Sequence, residues 1–61
     1  MSLIGDKAYK KFIDTGKIPD RIIYSISIKI MKGLELSERE ETVFYAKTSE
    51  INETIIHLSK K

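Results

Sequence analysis

Cysteine and tryptophan are absent from the 61 residues, and proline occurs once, as Pro19. Without cysteine no disulfide forms, and the usual zinc patterns lose their thiolates. A domain this short has a thin margin over conformational entropy, so it must rely on good helix packing, self-association or a partner. The three glycines, Gly5, Gly16 and Gly33, lie far apart and make no phosphate-cradling loop. No apolar run approaches the roughly 20 residues of a membrane-spanning helix. The N-terminus lacks a basic segment followed by an apolar run, which predicts a cytoplasmic protein with no membrane partner.

Catalytic signals are equally sparse. His57 is the single histidine. Glu53 precedes it by one helical turn, and two ligands fall short of a metal site. Ser25, Ser27, Ser49 and Ser59 are scattered, with no base and orienting group to activate any of them. The glutamates gather at a helix start, where capping accounts for them. The prediction is a non-enzyme with no catalytic residue, no cofactor and no metal.

Charge is present in quantity and unevenly placed. The net value is only +2. Residues 1–33 hold seven basic and three acidic side chains, a net +4, and residues 34–61 hold four basic and six acidic, a net −2. Such a dipole along the sequence marks either solvated helix faces or a basic face for an acidic partner. The candidate basic patch is Lys7, Lys10, Lys11, Lys17, Arg21, Lys29 and Lys32. A surface of that kind reads a phosphate backbone rather than bases.

Helix signals divide the chain in three. Asp6 is the expected cap of a first helix, with Ala8, Tyr9, Phe12 and Ile13 on one face and Lys7, Lys10 and Lys11 on the other. Thr15-Gly16 stops it. The stretch RIIYSISIKIMKG alternates like a strand, yet no second segment offers a strand to pair with. Pro19-Asp20 suits a helix start and Gly33 its end, with Lys29 and Lys32 at the negative pole. At roughly 100° per residue, Ile22, Ile23, Ile26 and Ile30 cluster, Tyr24, Ile28 and Met31 widen the arc, and only Ser27 interrupts it. A wide apolar arc predicts a central helix packed on two sides. Leu34 and Leu36 are expected to cover the ends of the core. Ser37-Glu38-Arg39-Glu40 is a capping box. Beyond it Phe44, Ile51, Ile55 and Leu58 form one stripe, with Val43 at its edge. The predicted fold is a single all-α domain over residues 1–61: a compact three-helix domain, helices at about 5–14, 20–32 and 38–59, with a buried central helix and a long C-terminal one.

A second strip on the long helix carries Tyr45, Ser49, Asn52 and Ile56. Ile55 and Ile56 cannot both face the core, so this strip is the candidate partner-binding surface. The predicted function is protein binding, to another protein or a second copy. The alternative is a small nucleic-acid-associated protein using the basic N-terminal half.

Two resemblances bear on this. LSEREETV, Leu36 to Val43, resembles the opening of LuxR-type regulator domains. Their recognition helix has no counterpart here, and Glu38, Glu40 and Glu41 would meet DNA phosphates with like charge. The run from Gly16 to Asn52 is similar in cadence to short helical reading frames of tailed bacteriophages, which often have an Ile-Pro start, a helix ending Lys-x-Gly (here Met31-Lys32-Gly33), then Leu-Ser/Thr and an acidic helix start. That resemblance implies a virion accessory protein or a modulator of a host protein, in the host cytoplasm or the virion. It transfers no functional residue.

Overall fold

The computed structural model describes residues 4–60, and helix is the only regular secondary structure among them. Four helices follow one another: α1 Asp6–Thr15, α2 Asp20–Lys32, α3 Glu38–Ala46 and α4 Thr48–Ser59. The RIIYSISIKIMKG stretch is therefore helix, not strand.

The helix ends follow local chemistry. Gly16 and Gly33 both adopt the left-handed conformation, φ +73°. At Gly33 the backbone closes a double cap: its N–H reaches the Ile30 carbonyl at 3.1 Å, and Leu34 N–H reaches the Lys29 carbonyl at 2.9 Å. α1 starts differently from expectation. Gly5 is its N-cap, and Asp6 is the first helical residue with no capping bond to give. Asp6 instead pairs with Arg39 at 2.6 Å.

The predicted long C-terminal helix is two helices. Lys47 leaves helical geometry at φ −121°, ψ 34°. The Thr48 hydroxyl donates to the carbonyls of Phe44 (2.8 Å) and Tyr45 (3.2 Å), back-bonding of the kind that bends helices. Val43 and Ile51 are both 0% exposed. In one straight helix they would lie about 80° apart around the axis, within the width of an ordinary apolar stripe, so their burial alone does not require the break. Both face the core across it. Val43 thus moves from the edge of the predicted stripe to its centre, and Phe44 is only partly buried.

The core comprises Ile4, Phe12, Ile22, Ile23, Ile26, Val43 and Ile51, with Ala8, Tyr9, Ile18, Ile30, Leu36, Phe44 and Ile55 packed against it. α2 packs chiefly along α4, and α3 meets α4 in a smaller contact. The thinnest dimension is 17 Å, room for two helix layers. α2 is consequently covered on one side rather than two: Tyr24 is 51% and Met31 45% exposed. Ile13 and Leu34, also expected in or over the core, are exposed. Ser27, the one interruption of the α2 arc, is fully buried and satisfied by donating to the Ile23 carbonyl at 2.8 Å.

Candidate functional site

One buried polar cluster fixes the position of α3. The capping box is complete: Glu40 N–H donates to the Ser37 hydroxyl at 3.3 Å, and Ser37 N–H donates to Glu40 Oε1 at 2.9 Å. Lys29 from α2 donates to the same Oε1 at 2.9 Å and lies 2.9 Å from Oε2. Oε2 is buried and accepts no well-formed hydrogen bond, so the ammonium charge is its compensation. Burial by itself raises the Glu40 carboxyl. The Ser37 amide, the Lys29 ammonium and the Ser37 hydroxyl outweigh it, holding the carboxyl below the usual glutamate range. Lys29 is thereby committed to structure and leaves the candidate basic patch.

Arg39 fastens the other side of α3 to the start of α1. Its guanidinium pairs with Asp6, donates to the Ile4 carbonyl at 3.3 Å and lies 4.9 Å from the Tyr9 ring centroid. The sequence signal for this was weak, because Arg39 reads as one more charge inside a capping motif.

The remaining cations of the patch, Lys7, Lys10, Lys11, Lys17, Arg21 and Lys32, are exposed, and the ion pairs among the described residues involve none of them. Lys7, Lys10 and Lys11 share the outer face of α1, and Arg21 and Lys32 share the outer face of α2.

The candidate partner strip is exposed throughout: Tyr45 at 75% and Ile56 at 56%, with Ser49 and Asn52 between them. The Lys47 break divides it. Tyr45 lies on the outer face of α3 with Glu38 and Glu41, its ring tilted 58° against Phe44 at 5.6 Å. Ser49, Asn52, Glu53 and Ile56 share the outer face of α4.

A groove of about 660 Å³ runs between the start of α2 and one edge of α4, a feature the sequence did not announce. Ile18 and Ile23 line its apolar part, and Lys17, Asp20, Lys47, Glu50, Glu53 and His57 its polar part. Lys47 and Glu50 form an ion pair at 3.7 Å. The Glu53–His57 pair noted in the sequence borders this groove. No three His, Asp or Glu side chains among the described residues are placed to hold a metal ion. Neither buried polar residue, Ser27 or Glu40, lines it. No helix among the described residues is long and apolar enough to cross a membrane. Comparison with protein-family models, with curated proteins and with solved structures returns no match to this chain.

Proposed function

We propose that this protein is a non-enzymatic protein-binding module that docks through the outer faces of α3 and α4. The observation that carries this is the concentration of exposed apolar side chains on so small a core. Among the described residues seven hydrophobic side chains are buried, while six large ones, Tyr45 and Ile56 among them, stay exposed. Tyr45 and Ile56 are separated by Ser49 and Asn52, which offer hydrogen bonds without a desolvated charge, the composition of an interface centre. Glu38, Glu41 and Glu53 rim the same faces and steer a basic partner towards them. The groove supplies no argument for catalysis, because its titratable groups are the exposed residues of an ordinary charged surface. The cadence resemblance of Gly16–Asn52 supports a virion accessory or host-modulating setting for this binding.

Tyr45→Ser combined with Ile56→Ser tests the proposal. Both side chains are more than half exposed, so stability should move by no more than about 0.5 kcal/mol per substitution. Affinity purification with chemical crosslinking should recover protein partners with the parent chain and lose them with the double variant. Recovery of the same proteins by both would refute the assignment.

A second reading has one observation in its favour. Six cations of the N-terminal half carry no ion pair among the described residues and can neutralise phosphates. Lys7→Glu, Lys10→Glu and Lys11→Glu together should then abolish a steeply salt-dependent affinity for nucleic acid.

A further inference from the structure

The α3–α4 surface has a chemical complement elsewhere on the same molecule. α2 turns Ile22, Ile23, Ile26 and Ser27 inward. On its opposite side lie Arg21, Ile28 and Lys32, with Tyr24 and Met31 along one flank. This face is apolar in its middle and cationic at both ends. Arg21 and Lys32 are exposed and without ion pairs, Tyr24 and Met31 are about half exposed, and Ile28 is partly so. The outer faces of α3 and α4 carry the opposite pattern, Tyr45 and Ile56 with Glu38, Glu41 and Glu53. Those three carboxylates are also exposed and, among the described residues, form no ion pair.

From this we infer that the partner is a second copy of the chain, which lays its α2 outer face on the α3–α4 outer face of the first. This rests on the protein-binding reading of α3–α4 and names the partner. Charge complementarity sets the pairing: Arg21 and Lys32 meet the glutamates, and the apolar residues between them cover Tyr45 and Ile56. α2 and α4 pack through their inner sides, so their outer faces look in opposite directions. A copy docked in this way still presents its own α3–α4 face. The contact is head-to-tail, and it propagates as an open chain or closes as a ring instead of stopping at a two-fold dimer.

The full chain should show a sedimentation mass that climbs past the dimer as concentration approaches about 1 mM. In about 1 M salt, where the Debye length is about 3 Å, association should weaken about tenfold or more. Two variants separate the faces. Tyr45→Ser/Ile56→Ser silences the α3–α4 face, and Arg21→Glu/Lys32→Glu silences the α2 face, with Arg21→Gln/Lys32→Gln as the milder substitute if circular dichroism shows the former unfolded. Each alone should sediment as a monomer. Mixed, they should form a single heterodimer, because each supplies the face the other lacks. A mixture that stays monomeric overturns the head-to-tail contact. A parent chain that stays monomeric at about 1 mM in low salt overturns self-assembly altogether. In that event, a foreign partner still lost on Tyr45→Ser/Ile56→Ser preserves the protein-binding reading. Salt-dependent binding of a short DNA duplex by the monomer instead assigns the cations to nucleic acid.

Discussion

α2 runs unbroken from Asp20 to Lys32, whereas the span from Glu38 to Ser59 divides at Lys47. α2 buries Ile22, Ile23, Ile26 and Ser27 along one side of a continuous helix. α3 and α4 bury Glu40, Val43 and Ile51, which a straight helix would also keep within about 80° of one another. The spacing of the covered side chains therefore does not separate the two regions. The difference lies at Lys47, where the backbone leaves helical geometry and the Thr48 hydroxyl bonds to two carbonyls of the preceding turn, whereas Ser27 in α2 bonds to one.

The largest test is cavity formation on either side of this comparison. Ile26→Ala and Ile51→Ala each remove a side chain with no exposure, at about 2–5 kcal/mol. A single core of this size supplies about 3–5 kcal/mol. Both variants should lose the cooperative thermal transition in circular dichroism. If Ile51→Ala melts much like the parent, the α4 side contributes less to the core than its burial indicates.

A smaller effect belongs to the tie between the two regions. Lys29→Met leaves the Glu40 carboxylate buried with only the Ser37 amide and hydroxyl to favour its charge. The cost is about 2–3 kcal/mol, below that of a fully enclosed pair, because Lys29 keeps 23% exposure. The pH dependence has a definite sign. The Glu40 pKa in the folded state lies below its unfolded value, so the unfolded chain takes up the proton first. The stabilisation is complete above about pH 4–5 and is lost as pH falls through the folded value. The Tm difference between the parent and Glu40→Gln should be widest near neutrality and narrow in acid. A constant difference would show that the carboxylate charge is irrelevant.

The smallest effect isolates the cause of the break. Thr48→Ala deletes the hydroxyl bonds to Phe44 and Tyr45 and should change stability by no more than about 0.5 kcal/mol. If backbone NMR shifts at Lys47 turn helical in this variant, the hydroxyl is the cause of the break. If they stay non-helical, packing elsewhere holds it.

Much of this architecture was legible in residue order. The Gly16 and Gly33 stops, the Ser37–Glu40 box and the helical nature of RIIYSISIKIMKG were all local signals, and local hydrogen bonds realise them. The bend at Lys47 was not legible, because the apolar stripe of Phe44, Ile51, Ile55 and Leu58 runs through it without interruption. Ile4 was missed as a core residue, and Ile13 and Leu34 were wrongly placed, because tertiary packing decides which flanking apolar residues meet the core. The exposed strip on α3–α4 was readable from periodicity, since Ile55 and Ile56 compete for one side of a helix. The groove at His57 and the removal of Lys29 from the basic patch were not, for both depend on which helices become neighbours.

The shared carboxylate of Glu40 also bears on the order in which the chain organises itself. Oε1 accepts from Ser37, three residues away, and from Lys29, eleven residues away. Closing so short a loop carries little entropic penalty, and the bond to Lys29 needs α2 already coiled. This local tie predicts that the corner between α2 and α3 forms before α1 docks, and φ-values well above those at Phe12 for Glu40 would be the kinetic test of that order.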